Sequence, residues 1–328
     1  MPTLLQDLQV EYQRYAKDHI FSTYHPKNLY TPIDYILSLG GKSMRPTLLL
    51  LAYTVMGGKE LSKALPAAYA IELFHNFSLM HDDIMDNSPL RRGKETVHLK
   101  WNINTAILSG DALLVYSYEY LAQCEAKYIG TALKIFNRTA IGVCEGQQMD
   151  MNFETSWDVK LTDYIEMIRL KTAVLLQGAL EIGATLANAT AEQAYQLGKF
   201  GEYMGIAFQL QDDYLDTYGQ SAKVGKRIGG DILQGKKTYL VLKTLELSSP
   251  EAGQSLKNLL DKPCATVAAE NEKIATISKL FQNCGADIAL QQEIEYYYQS
   301  AIHILEKLNL ADSEALHEFI NMIMQREH

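Results

Sequence analysis

The sequence predicts an all-α fold, a single large helical bundle, and three observations carry that expectation. The eight prolines stand at positions 2, 26, 32, 46, 66, 89, 250 and 263, so none interrupts the 160 residues between Pro89 and Pro250. Proline breaks helix interiors, and so long a window without it favours helices. Apolar residues recur at spacings of three and four, as in Ala67, Ala70, Ile71, Phe74 and Phe77, the stripe of an amphipathic helix. Strand alternation is hard to find anywhere. At 328 residues with 47% hydrophobic and 21% charged content, the chain can bury a sizeable core and is not a disordered one.

Helix starts are legible in order. Thr31-Pro32 and Ser249-Pro250 each place a capping residue before a proline at the first helical position. Thr190 with Gln193 fits a capping box. Glycine pairs at Gly40-Gly41, Gly57-Gly58 and Gly229-Gly230 punctuate the helices. No linker, repeat or low-complexity stretch divides the chain, which reads as one domain over 1–328. The segment 218–237 differs: its glycines and its lysines Lys223, Lys226, Lys236 and Lys237 suggest a lid over an anion.

Charge and targeting exclude several classes. Lys and Arg total 30 against 39 acidic residues, a net charge of −9, which argues against a nucleic-acid partner. The start of the chain lacks the basic and apolar regions of a signal peptide. The run Leu48 to Met56 is far shorter than the roughly 20 residues that span a bilayer. Cys124, Cys144, Cys264 and Cys284 are scattered and read as buried or partly buried free thiols in a reducing compartment. A cytoplasmic protein without a membrane span is expected.

The strongest chemical signal is a repeated pattern. Asp82-Asp83-Ile84-Met85-Asp86 and Asp212-Asp213-Tyr214-Leu215-Asp216 both read DDxxD, where average usage predicts about 0.05 matches by chance. On a helix, positions i and i+4 share a face, so Asp82 lies with Asp86 and Asp212 with Asp216. Such like-charge pairs destabilise an isolated helix unless cations offset them. Hard carboxylate oxygens with open positions suit magnesium, which takes phosphate oxygens as further ligands. His75 precedes Asp82 by two turns, and Gln209 precedes Asp212 by one. Arg91-Arg92 after the first motif and Lys42 with Arg45 in Gly40-Gly41-Lys42-Ser43-Met44-Arg45-Pro46 supply cations suited to phosphate. Together these groups describe a diphosphate site.

With these motifs the chain resembles the trans-isoprenyl diphosphate synthases, the polyprenyl synthetase family. GGKSMRP, HNFSLMHDDIMD, LRRG, Ser109-Gly110-Asp111, GQQMD, LKT, FQLQDDYLD and GGDILQGKKT follow in the family's order from Gly40 to Thr238. The resemblance implies an all-α bundle around a deep central cavity, working as a homodimer. It implies three magnesium ions, two held by Asp82 and Asp86 and one by Asp212 with Asp216. Arg91, Lys171, Lys226 and Lys236 would contact an allylic diphosphate (dimethylallyl, geranyl or farnesyl), and Lys42, Arg45, His75 and Arg92 isopentenyl diphosphate. Thr172 and Gln209 would present oxygens to the developing carbocation. Asp83, Gln147, Asp150, Asp213 and Asp231 would act through water or through the ligands, with Asp83 grouped among the catalytic positions. The reaction implied is ionisation, condensation and elimination, with the leaving diphosphate as base.

Product length follows from the residues before the first motif. Phe77 lies five before Asp82, about 7.5 Å along the axis. In the family a bulky residue there acts as a floor; Phe74, Phe77 and the small Ser78 resemble the pattern of 15- to 20-carbon makers, with 20 favoured. The Tyr296-Tyr297-Tyr298 run reads as helix packing or a dimer contact. Three alternatives stand beside this reading. A class I terpene cyclase shares the first DDxxD but normally carries a different second motif. A non-catalytic subunit of a heteromeric synthase would lose motif aspartates. A di-iron bundle could use the Glu-x-x-His spacings at Glu72, Glu95 and Glu314, but no partner glutamates accompany them.

Overall fold

The structure, a computed structural model, describes residues 3–219, 228–308, 310 and 313–324. Helices dominate it, as the proline spacing predicts. The helices are α1 (Leu4–Lys17), α2 (Lys27–Ser38), α3 (Met44–Val55), α4 (Leu65–Met85), α5 (Val97–Lys100), α6 (Ile103–Leu121), α7 (Ala126–Thr155), α8 (Leu161–Ile168), α9 (Val174–Leu186) and α10 (Ala191–Tyr218). They continue with α11 (Gly230–Gln234), α12 (Tyr239–Leu247), α13 (Pro250–Asp261), α14 (Val267–Cys284), α15 (Ala286–Leu308) and α16 (Glu314–Met324). The described residues fall into two compact units, one drawn from 1–140, 175–198 and 305–318, the other from 141–174, 199–304 and 319–328.

In the first unit, Leu48 to Ala52 of α3 are fully buried, as are Leu73 and Phe74 of α4. Close approach is bought by glycine: a Cβ on Gly183 of α9 would lie 2.1 Å from the Leu49 carbonyl oxygen of α3. Gly110 of α6 does the same for α4, because a Cβ there would meet His81 Nε2 at 2.3 Å. His81 Nε2 pairs with the Ile107 carbonyl at 3.2 Å, and Ser109 Oγ donates to the Leu29 carbonyl at 2.8 Å. The Ser109-Gly110-Asp111 motif is therefore a packing device in which the glycine admits a histidine.

Ser249 and Thr190 cap α13 and α10 as expected, with Ser249 Oγ accepting from Ala252 N at 3.3 Å and Thr190 exchanging bonds with Gln193 at 3.0 and 3.2 Å. The expectation at Thr31-Pro32 is corrected: α2 begins at Lys27 and carries Pro32 in its interior. Pro32 is the sixth helical residue, so it costs one backbone bond to Asn28; burial of Ile33 and Ile36 on the same helix offsets that loss. A second correction concerns the segment after the first motif. Leu90–Arg91 and Lys94–Glu95 form a two-residue antiparallel hairpin, with Arg92 at φ 53° and Gly93 at φ 75°. Both turn residues have positive φ, as a primed two-residue turn requires. Cys144 is a third correction: Cys124 is buried and Cys264 and Cys284 are half-buried, but Cys144 is exposed.

In the second unit, the chain between α8 and α9 widens into a π-helical turn, Arg169–Ala173. Such turns occur mostly as single insertions at functional sites. Two glycines make room for it. A Cβ on Gly146 of α7 would lie 2.3 Å from Lys171 N, and one on Gly205 of α10 would lie 2.6 Å from Ala173 Cα. Of the tyrosine run, Tyr298 is buried and donates to Gln211 Oε1, Tyr297 packs on Tyr203, and Tyr296 is exposed.

Candidate active site

The last turn of α4 carries the first DDxxD motif, and its three aspartates have different fates. Asp83 is buried at 1% exposure. It accepts from Arg91 Nε at 3.0 Å and Arg91 Nη2 at 2.5 Å. Burial pushes its carboxyl above the ordinary range while the Arg91 guanidinium pulls the other way. Asp82 is half-buried and Asp86, the C-cap of α4, is exposed. The motif thus turns its middle carboxylate inward as an anchor for the hairpin arginine and its outer pair outward.

The same unit gathers the basic residues of the sequence motifs. Arg45 Nη1 donates to His75 Nε2 at 3.2 Å. A guanidinium cannot accept, so His75 accepts and is neutral; burial and the nearby Arg45, Arg92 and Arg91 hold it well below its ordinary value. Arg45 Nε is buried with no hydrogen-bond partner among the described residues. Arg92 fills the space that Gly41 leaves: a Cβ there would lie 2.8 Å from its Nη2. Lys42 is exposed on the turn before α3, where its carbonyl accepts from Gln9 Nε2 at 2.8 Å. Glu72 is the acid facing these cations. Burial raises its carboxyl and Arg45 and Arg92 lower it. The structure therefore brings Arg45, His75, Arg91 and Arg92 into one cationic neighbourhood. A buried guanidinium nitrogen without an acceptor is costly, and an anionic ligand would satisfy it.

The second motif, near the end of α10, repeats the inward middle aspartate. Asp213, 4% exposed, accepts from the Tyr164 hydroxyl of α8 and from Gln209 Nε2 at 3.4 Å. Burial and Asp231 push its carboxyl well up, against those two donors. Asp212 and Asp216 are half-buried. Asp216 Oδ2 accepts the Asp231 amide at 3.0 Å and its carbonyl accepts the Gly229 amide, so it also organises the Gly229-Gly230-Asp231 turn. The π turn presents Lys171, paired with Asp150 Oδ2 at 2.6 Å, and Thr172, which donates to Gln209 Oε1 at 3.2 Å. Lys236 pairs with Asp231 at 3.4 Å. Lys226 lies outside the described residues, as does Lys223.

The floor candidates separate by exposure. Phe74 is fully buried against Phe136, with centroids 5.3 Å apart. Phe77 is half-buried and lies edge-on to His81 at 4.7 Å. Ser78 Oγ donates to the His75 carbonyl at 2.8 Å. Two residues stand out that sequence reasoning passed over. Tyr164 is a lone tyrosine with no motif around it, so no signal marks it. Glu72 registers in the sequence only as part of a Glu-x-x-His spacing; its placement three residues before His75, on the same helix face, was the available cue.

The donor set fits magnesium. Among the described residues, no three His, Cys, Asp or Glu side chains gather closely enough to hold an ion alone. Each motif seats its middle aspartate on an arginine or a tyrosine and sets its outer two, Asp82 with Asp86 and Asp212 with Asp216, four residues apart on one side of the helix. Magnesium is bound in that way, by one or two carboxylates with water and substrate phosphate completing the shell.

An all-α chain with two DDxxD motifs, and with Arg45, Arg91 and Arg92 gathered about His75, has groups suited to a diphosphate. Residues 26–277 match the polyprenyl synthetase family. The short chain isoprenyl diphosphate synthase of Methanothermobacter thermautotrophicus is 33% identical over 99% of both chains. The geranylgeranyl pyrophosphate synthase of Geoglobus acetivorans is 37% identical over 95% of both. A crystal structure of geranylgeranyl pyrophosphate synthase superposes with a TM-score of 0.94 at 41% identity, covering 100% of each chain. The chain belongs to the polyprenyl synthetase family, trans-prenyltransferases of isoprenoid biosynthesis that act on isoprenoid diphosphates. The family is magnesium-dependent in general. No helix among the described residues is long and apolar enough to cross a membrane.

Proposed function

We propose that the chain condenses isopentenyl diphosphate with an allylic diphosphate and releases an all-trans prenyl diphosphate of 15 to 20 carbons, with 20 favoured. The carrying observation is the cationic neighbourhood of Arg45, His75, Arg91 and Arg92, with its orphaned Arg45 Nε. It supports a diphosphate seat beside the helix that bears Asp82 and Asp86. The chain acts as one synthase domain over 1–328.

Lys42, Arg45, His75 and Arg92 hold isopentenyl diphosphate. Neutral His75 serves as a hydrogen-bonding group and not as a further charge. Arg91, with Nε and Nη2 committed to Asp83, offers its remaining nitrogen to the allylic diphosphate. Lys171, Lys226 and Lys236 serve the same group, and Asp150 and Asp231 hold two of those lysines in place. Asp82 and Asp86 would hold two magnesium ions and Asp212 with Asp216 a third. When bound, the metal stabilises charge on the departing diphosphate. Thr172 and Gln209 present oxygens to the allylic cation. The leaving diphosphate would serve as the proton acceptor, since Asp213 and Asp150, the carboxylates beside these groups, are held by Tyr164 and Gln209 and by Lys171.

Phe77, half-exposed where Phe74 is fully buried, is favoured as the floor, with Ser78 leaving room beside it. A homodimer is supported by α6, where Ile103, Ile107, Leu108, Val115 and Tyr118 are exposed along one face. Free thiols in all four cysteines favour a reducing, cytoplasmic setting.

The test is product analysis by mass spectrometry with isopentenyl diphosphate and each of the dimethylallyl, geranyl and farnesyl starters, with and without magnesium. Extension to a 15- or 20-carbon product that stops on chelation is the expected result. A hydrocarbon from farnesyl diphosphate alone would indicate a cyclase. An inert chain that becomes active with a partner would indicate a heteromeric subunit.

A further inference from the structure

Four residues of the second unit form a continuous hydrogen-bonded chain. The Tyr164 hydroxyl donates to Asp213 Oδ2 and Gln209 Nε2 donates to Asp213 Oδ1 at 3.4 Å. Thr172 Oγ1 donates to Gln209 Oε1 at 3.2 Å. Tyr164 and Asp213 are buried at 3% and 4% exposure, whereas Gln209 and Thr172 keep part of their surface. The chain thus runs from a sealed interior to two groups that a substrate can touch.

The direction of donation along it is fixed from the buried end. With the Tyr164 proton on Oδ2, Asp213 Oδ1 accepts from Gln209 Nε2, and an Oδ1 that carries no proton keeps the Gln209 NH2 turned toward Asp213. Its carbonyl then faces Thr172, and the Thr172 hydroxyl must spend its only proton on that carbonyl. What Thr172 has left to present is lone pairs. A hydroxyl that turned its proton outward would set a positive dipole end against a carbocation; one that presents lone pairs sets a negative end. The backbone of Thr172 cannot turn away, because the π turn is held between Gly146 and Gly205.

We propose that Asp213 is a positioning residue that sets the polarity of this chain, so that Thr172 faces the allylic cation with lone pairs and not with its proton, and that Tyr164 supports it by occupying its other oxygen. This rests on the synthase reading above. It gives the middle aspartate of the second motif a task other than holding metal, and it assigns Tyr164 a place in the reaction.

The test is a three-variant set assayed for kcat, both KM values and magnesium dependence, with circular dichroism melts to confirm folding. In Asp213→Asn, Tyr164's proton claims the amide oxygen, because a buried hydroxyl proton without an acceptor is costly. The amide nitrogen then faces Gln209, Gln209 flips, and Thr172 must turn its proton outward. The expected result is a kcat about 100-fold lower, the scale of losing one preorganised electrostatic contact, with both KM values and the magnesium curve at wild type. Tyr164→Phe leaves the polarity intact and lowers kcat about threefold. In the double variant Tyr164→Phe/Asp213→Asn, no hydroxyl competes for the amide oxygen, which can return to Gln209. Its kcat should rise about tenfold above that of Asp213→Asn.

A magnesium curve displaced to higher concentration in Asp213→Asn would mean that Asp213 serves the metal and would overturn the proposal. So would a double variant no faster than Asp213→Asn, or a Tyr164→Phe loss as large as that of Asp213→Asn. The Tyr164→Phe arm decides the matter if Asp213→Asn does not fold. Wild-type extension, measured first, separates the two readings. A wild type that makes no prenyl diphosphate sinks the synthase reading, whereas an active wild type with the wrong variant pattern sinks only this one.

Discussion

Gly146 of α7 and Lys171 of the π turn touch backbone to backbone: a Cβ on Gly146 would lie 2.3 Å from the Lys171 nitrogen. No side-chain rotation can relieve that contact, because both atoms belong to the main chain or are fixed to it. The wide turn that carries Lys171 and Thr172 is therefore held by the absence of an atom. Gly146→Ala should displace the turn, lower stability by about 2 kcal/mol and reduce kcat more than either KM. Thermal melts and steady-state kinetics check this. Gly130, a helical residue of α7 where a Cβ would meet nothing within 4 Å, supplies the control: Gly130→Ala should leave the kinetics unchanged and raise stability by up to about 1 kcal/mol.

Product length should answer to Phe77 and not to Phe74. Phe77 keeps exposed surface, so Phe77→Ala opens space and should shift products upward by at least one five-carbon unit. Phe74 packs on Phe136 inside the core, so Phe74→Ala should cost about 3–5 kcal/mol of stability. Mass spectrometry of the products decides between them; an unchanged profile in Phe77→Ala would remove it as the floor.

His75 gives stability a pH dependence of definite sign. Its folded value lies well below the ordinary 6.5, from burial first and then from Arg45, Arg92 and Arg91. The unfolded chain therefore binds the proton first as pH falls. The neutral His75 contributes stability that is present above about pH 6.5 and drains away below it. Glu72, with a raised carboxyl, shifts stability in the opposite direction, being favoured as pH falls. His75→Gln keeps a hydrogen-bond acceptor for Arg45 and does not titrate. Between pH 7 and pH 5 the wild type should lose melting temperature relative to His75→Gln; parallel curves would contradict the assignment.

The exposed stripe on α6 makes the proposed homodimer testable. Val115 is 65% exposed and Leu108 60%, while the opposite face buries Ala106, Ser109, Gly110, Leu113 and Ser117. Val115→Asp should convert dimer to monomer in sedimentation without lowering the helix signal of the chain. A dimer that survives both Val115→Asp and Leu108→Asp would place the contact elsewhere.

How much was legible depended on where the information sits. Helix class and the DDxxD faces were readable, because proline placement and i, i+4 spacing are local. Ser249 and Thr190 caps were readable for the same reason. Pro32 was misread as a helix start because local rules place proline early, whereas burial of Ile33 and Ile36 extends α2 ahead of it. The hairpin at Arg92-Gly93 escaped because its strands are two residues long, too short for alternation to register. The i, i+4 spacing grouped Asp82 with Asp86 and Asp212 with Asp216, and the resemblance implied an indirect part for Asp83 and Asp213, but neither named the partners of the middle aspartates. That Asp83 and Asp213 point inward is set by Arg91 and by Tyr164, and the Tyr164 partner lies 49 residues away in sequence. The π turn was invisible, since it depends on glycines in two other helices.

The seat that Gly41 provides for the Arg92 guanidinium joins two stretches that look independent on the page. Neither the glycine loop nor the hairpin tip is a self-contained module: each has the shape of the other moulded into it. A chimera that took its glycine loop from one family member and its hairpin from another would bring together halves shaped for different counterparts. Anyone transplanting this arginine seat should carry both stretches across as a single heritable part.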